Sequence, residues 1–276
     1  MTLNLLVVIC ETPDEQASRR ERSGRASHET LEGALRAERP DLAIKTASCV
    51  DGTEPDMAAL GLYDGVLFGG SPIAMHEDTP ETRSAARFME RVFDSGVPSF
   101  GSCAGMQIAA VAAGGSVAPR DTGMRAAITR GVTRTDAGRG HPLLDERPEA
   151  WDVPAMHSSI VTRVPPGGTA LARTEGTPVE AMEVRRGEGV HWGVQYHPEV
   201  GLAEIADAIG AQASELVDQG LAESEGDVRH YAKRLTALGH DPERRDLAWQ
   251  LGIGREAIEP DRRRRELANF LRFVAG

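Results

Sequence analysis

Residues 97–115 read Val-Pro-Ser-Phe-Gly-Ser-Cys-Ala-Gly-Met-Gln-Ile-Ala-Ala-Val-Ala-Ala-Gly-Gly, and no other stretch restricts the possible folds as strongly. A short apolar run ends at Phe100. An alanine-rich helical segment begins near Ala104 and stops at Gly114-Gly115, where glycine's access to the left-handed region caps a helix. Between them, Gly101-Ser102-Cys103-Ala104-Gly105 has a thiol at its centre and a glycine two residues away on each side. That is the pattern of a sharp strand-to-helix turn, whose crowded backbone tolerates only small flanking residues. A cysteine there sits at a helix N-terminus, where the macrodipole favours thiolate. Around Ser102 the flanking positions are Phe100 and Ala104, so cysteine fits as nucleophile and serine does not. The competing account of Cys103 is an inert, buried thiol.

A chain of 276 residues can bury a full core, as one domain with an appendage or as two small ones. A net charge of -11 argues against general affinity for nucleic acid or anionic membranes. Of the 31 basic residues only Lys45 and Lys233 are lysine, which reads as a coding bias. Three widely spaced cysteines make no disulfide framework, and Cys10 and Cys49 read as core thiols near strand ends. The apolar run 3–10 is too short to span a bilayer and lacks a basic flank, so the expected location is the cytoplasm.

Residues 3–9 are continuously apolar, as a buried parallel strand requires. The polar stretch 11–24 reads as a loop. Helical spacing follows at Leu31, Ala34 and Leu35 before Pro40. Residues 42–47 and 63–68 read as strands with a short helix between, and the second runs into Gly69-Gly70-Ser71-Pro72. Residues 83–93 are amphipathic through Ala85, Phe88, Met89, Val92 and Phe93, and 97–100 supply a fourth strand. This alternation predicts an α/β fold: a mostly parallel sheet with helices on both faces. Ligands then sit beyond the carboxyl ends of the strands, where Gly69-Gly70 and Cys103 both fall.

Beyond Gly115, segments 126–130, 153–157, 160–164, 169–173, 179–184 and 190–195 read as short strands, some antiparallel. After Val200 the spacing is helical. Leu202, Ile205, Ile209, Ala213 and Leu216 share a face, and Leu267, Phe270, Leu271 and Val274 form a closing stripe. The arginine run 262–265 reads as a solvated helix start. The expected organisation is a catalytic unit over 1–200 and a helical tail over 201–276 packed on the same domain.

His197-Pro198-Glu199 places two polar side chains on one side of a segment that proline holds extended. Glu199 can accept the Nδ1–H of His197 and leave Nε2 to act on a thiol. Cys103, His197 and Glu199 are thus the candidate nucleophile, base and orienter. A zinc site from Cys103, His157 and His197 lacks any closely spaced ligand pair, so no metal is expected.

Three stretches, 69–72, 101–107 and Gly193-Val194-Gln195-Tyr196-His197-Pro198-Glu199, resemble class I (triad-type) glutamine amidotransferases. The match is to stand-alone proteins similar to the amidotransferase domain of GMP synthase, and it covers roughly residues 3–200. The resemblance implies a flavodoxin-like fold, no cofactor, and hydrolysis of the glutamine side-chain amide through a γ-glutamyl thioester on Cys103. It implies that backbone N–H groups of Gly70 and Ala104 hold the oxyanion while His197 moves the proton. Gly69, Ser71, Gln107, His157, Ser158 and Ser159 fall where the family binds substrate. Ala104 stands where relatives often carry a larger residue, which opens the pocket wall. Ser71 lengthens a turn that many relatives write Gly-Gly-Pro. The chain has no Gly-x-x-x-x-Gly-Lys nucleotide fingerprint. The leading expectation is therefore a glutaminase feeding ammonia to a synthetase partner, with no nucleic-acid or membrane partner. The alternative is a stand-alone γ-glutamyl hydrolase or peptidase using the same three residues. A non-catalytic module is disfavoured because Cys103 and His197 are both intact.

Overall fold

The structure, a computed structural model, describes residues 2–276. The first apolar run forms strand β1 (Asn4–Ile9), followed by helices α1 (Pro13–Ser23) and α2 (Ser27–Glu38) and strand β2 (Ala43–Ser48). Helix α3 (Met57–Leu60) precedes β3 (Gly65–Phe68), and α4 (Pro80–Ser95) precedes β4 (Ser99–Ser102), which turns directly into α5 (Ala104–Ala112). Seven short strands follow: β5 (Ser116–Pro119), β6 (Ile128–Arg134), β7 (Ala150–Pro154), β8 (Ser159–Arg163), β9 (Gly168–Thr174), β10 (Thr177–Arg186) and β11 (Gly189–Val194). The chain ends in helices α6 (Leu202–Ala211), α7 (Ala213–Asp218), α8 (Glu225–His240), α9 (Arg245–Leu251), α10 (Arg255–Ile258), α11 (Pro260–Arg263) and α12 (Arg265–Ala275).

Nine strands form one sheet in the order β2-β1-β3-β4-β11-β10-β9-β6-β7, and β5 pairs with β8 apart from it. The half from β2 to β11 is parallel; the remainder is antiparallel. Side chains alternate between faces along a strand, so Leu5 and Val7 of β1 enter a core with Leu31, Leu35, Phe100, Trp192 and Phe270. Leu6 and Val8 enter a second core with Phe68, Phe88, Met89 and Met106. The continuous apolar runs exist because both faces are covered. A third core is made among α6, α7, α8 and α9, with Met124 and Ile128. α12 packs its apolar stripe, led by Leu267 and Phe270, into the first core.

Strand β11 lies beside β4 in parallel register, from His191 opposite Ser99 to Val194 opposite Ser102. Residues that follow β11 therefore emerge next to those that follow β4. This pairing links two stretches far apart in the sequence.

Two expectations need correcting. The polar stretch 11–24 is mostly helix, with Thr12 and Glu15 forming a capping box, Pro13 in the first turn and Gly24 left-handed at φ +77°. α1 buries no residue, so it has no apolar face from which to read it. It is tethered instead by Arg19 to Glu204 at 2.9 Å and by Gln16 Nε2 to the Glu11 carbonyl at 3.0 Å. The arginine run is not uniformly solvated either: Arg263 is buried, and Arg264 pairs with Glu38 at 2.6 Å. Cys10 and Cys49 are buried side by side, their sulfurs 3.7 Å apart. Among the described residues no helix is long and apolar enough to cross a membrane.

Candidate active site

Cys103 occupies the single residue between β4 and α5 with φ +49° and ψ −103°. A non-glycine residue in such a region costs of order 1–3 kcal/mol. The turn is held by the Cys103 N–H to the Val194 carbonyl at 2.7 Å and by the Gln107 N–H to the Cys103 carbonyl at 3.2 Å. A Cβ on Gly101 would lie 2.5 Å from the carbonyl carbon of Gly105. One on Gly105 would lie 2.7 Å from Phe68 Cβ. The flanking glycines are therefore required by close packing against each other and against β3.

Beyond β11 the Gln195 N–H binds the Glu180 carbonyl at 2.8 Å and the His197 N–H binds the Pro154 carbonyl at 2.9 Å. These bonds turn His197 toward the sulfur. His197 Nδ1 lies 2.9 Å from Oε1 of Glu199, and the Ser102 hydroxyl donates to the same oxygen at 2.8 Å. Burial alone would push the His197 imidazole toward neutrality, but Glu199 and the adjacent Cys103 sulfur outweigh it and raise its pKa to about 10. Burial likewise opposes ionisation of Glu199, and the His197 charge with the His197 and Ser102 hydrogen bonds keeps it a carboxylate. The ionised Glu199 thus holds His197 as imidazolium beside the Cys103 sulfur.

The Cε1 edge of the His197 ring abuts Gly70, where a Cβ would collide with Cε1 and stand 3.1 Å from Nδ1. Ser27 Oγ donates to the Gly70 carbonyl at 2.5 Å, which fixes that peptide's orientation, and the Ser27 N–H binds the buried carboxylate of Glu11 at 2.8 Å. Gly70 and Ala104 both line the cleft that holds Cys103 and His197. Ala104 opens α5, so its N–H has no acceptor within the helix.

The other candidates divide. Ser71, Gln107, His157, Ser158 and Ser159 line the same cleft; Gly69 does not, and faces Ser27 and Leu31 instead. Gln107 is buried, its Nε2 donating to the Ser159 carbonyl at 2.9 Å and to Gln195 Oε1 at 3.3 Å. His157 donates Nδ1–H to the Ser159 carbonyl at 3.1 Å and leaves Nε2 unpartnered. Burial, with the charges of Arg120, His197 and Arg125, lowers its pKa to about 3, so the ring stays a neutral acceptor.

Four roles at the site escape the sequence reading: that of Ser102, weighed there only as a nucleophile, and those of Gln195, Ser27 and Glu11. Gln195 Nε2 points at the Cys103 sulfur from 3.6 Å. The extended segment expected over 197–199 is not present: residues 195–199 form bends and a turn closed by the Val200 N–H to the His197 carbonyl at 3.3 Å, so the signal for Gln195 is only its place two residues before His197. The other three carry no local signal. From Cys103 a cleft of about 690 Å³ runs outward between α1 and α6, past Ser18 and Arg19 on one wall and Glu204, Asp207 and Ala208 on the other. No three His, Cys, Asp or Glu side chains among the described residues converge as metal ligands.

Residues 37–212 match the sequence model of the family described as glutamine amidotransferase class-I. The chain is 34% identical over 237 residues to the gamma-glutamyl-L-1-hydroxyisopropylamide hydrolase of a Pseudomonas species, covering 84% of this chain and 80% of that one. It is 36% identical over 147 residues to the GMP synthase of Leifsonia xyli subsp. xyli, which is 52% of this chain and 27% of the relative. The chain thus spans about a quarter of the GMP synthases it matches. The crystal structure of a glutamine amidotransferase from Thermotoga maritima superposes over the full length of both chains with a TM-score of 0.66 at 17% identity, a likeness of fold. The extent of the family match and the length of the Pseudomonas alignment place this chain in the class I glutamine amidotransferases, a family of cysteine-dependent amide hydrolases.

Proposed function

We propose that the chain hydrolyses γ-glutamyl amides, cleaving the bond between the γ-carbonyl carbon and an amide nitrogen that carries an organic substituent. The observation that carries this reading is the meeting of Cys103 with the His197–Glu199 pair in a cleft of about 690 Å³ lined by α1 and α6, whose walls the Arg19–Glu204 pair bridges. In this reading the Cys103 sulfur attacks the γ-carbon, and the negative charge moves to the carbonyl oxygen, which the N–H groups of Gly70 and Ala104 receive. His197 gives its proton to the nitrogen, the carbon–nitrogen bond breaks, the amine leaves and a thioester remains. Water then gives a proton to His197 and its hydroxide adds to the thioester. The carbon–sulfur bond breaks to regenerate thiolate and imidazolium, and the new carboxylic acid loses its proton to solvent.

A substituted amide is favoured by the Pseudomonas relative, named for such a substrate and aligned along most of both chains. It is favoured too by the small side chain of Ala104 at the cleft wall and by a volume in the usual range of small-molecule sites. The loop carrying His157, Ser158 and Ser159 would hold the amino-acid end. The test compares an N-isopropyl γ-glutamylamide with free glutamine, in wild type and Cys103→Ala. At least tenfold higher kcat/KM for the substituted amide, lost in Cys103→Ala, is expected; preference for glutamine overturns it. A second reading, ammonia supply from glutamine to a synthetase partner, draws on the matches to GMP synthases. Glutamine turnover that rises when a synthetase is added would favour that one.

A further inference from the structure

The family match ends at residue 212, yet two side chains beyond it reach the segment that carries His197 and Glu199. Glu266 of α12 is fully buried. It accepts Arg147 Nε at 2.8 Å, Arg147 Nη2 at 2.7 Å and the hydroxyl of Tyr196, next to His197, at 2.7 Å. Arg147 also binds Glu256 at 2.9 Å and the Arg263 carbonyl at 2.9 Å. Arg263, 7% exposed, donates Nη1 to the carbonyls of Ala257 and Ile258 at 3.1 and 3.2 Å. Its Nη2 stands 3.8 Å from where a Cβ of Gly201 would be, two residues beyond Glu199. Its Nε has no partner, and neither does the buried Oε2 of Glu199.

We propose that α11 and α12 clamp residues 196–201, with Glu266 fixing Tyr196 and Arg263 acting as a positioning residue whose charge keeps Glu199 ionised while His197 is neutral. The inference rests on the roles given above to Cys103, His197 and Glu199. At rest the imidazolium balances the Glu199 carboxylate. Once its proton has passed to the leaving amine, Glu199 is a buried anion beside a neutral ring, a situation that is strongly unfavourable without a second cation. A guanidinium suits that place because it stays protonated even when partly desolvated. Burial, Arg264 and Arg147 draw the Arg263 pKa down to about 10, while Glu199 and Glu204 pull it back up, so it is charged at neutral pH. His197 and Ser102 hydrogen-bond Glu199, the Cys103 sulfur lies beside the His197 ring, and His157 interacts electrostatically with His197. The bidentate Arg147–Glu266 pair gives the clamp a fixed geometry.

The test uses the full chain with Arg263→Met and Arg263→Lys, following kcat/KM against pH for a turned-over γ-glutamyl amide. Loss of the positive charge strengthens proton binding at Glu199, so the acid limb in Arg263→Met should move up by about one pH unit. At neutral pH kcat should fall about tenfold with KM little changed, and Arg263→Lys should restore the limb. An unmoved limb with only a lowered melting temperature means a merely structural role and overturns the inference. A double-mutant cycle of Arg263→Met with Glu199→Gln, read by urea unfolding, needs no activity. Strong coupling supports the clamp and additivity overturns it, whereas turnover that survives in Cys103→Ala overturns the catalytic reading instead.

Discussion

The hydroxyl of Ser102 donates to Oε1 of Glu199 at 2.8 Å, the oxygen that also meets Nδ1 of His197 at 2.9 Å. The residue beside the candidate nucleophile is thereby occupied in steadying the carboxylate that steadies the imidazole. A hydrogen bond to a charged group is worth about 1.5–3 kcal/mol. Ser102→Ala is expected to fold, to keep KM within a factor of two or so, and to lose about tenfold in kcat. Steady-state kinetics decide it, and an unchanged kcat would show that Glu199 does not need the hydroxyl.

Gln195 Nε2 lies 3.6 Å from the Cys103 sulfur, and its Oε1 is held by Gln107 at 3.3 Å. An amide dipole aimed at sulfur favours the anionic form that attacks. Gln195→Leu should slow alkylation of Cys103 by iodoacetamide several-fold at neutral pH. A rate equal to wild type would remove Gln195 from the nucleophile's environment.

How far these relationships are legible in the residues follows from where their information lies. β1 and β3 need unbroken apolar runs, and the turn at Cys103 needs glycines at fixed offsets, so both stand out in the sequence, whereas β4, Ser99–Ser102, has one large apolar side chain and lies two residues past the expected 97–100. α1 is stabilised at its ends and has no core-facing stripe, which leaves only the Thr12–Glu15 box and Gly24 to announce it. β6 extends to Arg134, past the expected 126–130, because an irregularity between Thr129 and Val132 breaks its alternation. β5 has four residues and one partner, too little for any pattern. Cys103 and His197 carry strong local motifs. The Ser102–Glu199 bond and the Arg263 approach to Gly201 are tertiary, and nothing in the neighbouring residues points to them.

Strain at Cys103 sets stability against chemistry. With φ +49° and ψ −103° the backbone suits glycine better than any L side chain. Cys103→Gly should unfold about 1 kcal/mol later than Cys103→Ala, relief of strain exceeding the extra entropy of the unfolded glycine. Both are expected to be inactive. Thermal melting of the two side by side checks it, and equal melting temperatures would mean the turn is unstrained.

Cys10 and Cys49 lie at the ends of β1 and β2 with sulfurs 3.7 Å apart, both buried. The Cys49 thiol, together with burial, pushes the Cys10 thiol well above its ordinary pKa. Thiolate is the reactive form. Iodoacetamide should therefore modify Cys103, which faces the cleft, before the other two, which should react only after denaturation. Peptide mapping by mass spectrometry checks the order, and prompt labelling of Cys10 in the native protein would contradict it.

Three of the four buried histidines, His157, His191 and His197, give stability a pH dependence with two limbs. His191 is fully buried, its Nδ1 2.9 Å from Ser99 Oγ and its Nε2 unpartnered, and burial lowers its pKa to about 3. The unfolded chain binds a proton at this residue below about pH 6.5 while the folded chain does not, so stability falls as pH drops from there toward 3. His157, also near 3, acts with the same sign. His197 acts with the opposite one: raised to about 10 by Glu199 and Cys103 against burial, it contributes fully below about pH 6.5 and loses that contribution as pH rises to its folded value. His191→Gln should flatten the acid limb by an amount on the order of 3 kcal/mol at pH 4 and leave the alkaline limb alone. His197→Gln should do the reverse. Urea unfolding at pH 4, 6.5 and 9 separates the two, and an acid slope unchanged in His191→Gln would mean that this ring is protonated in the folded protein.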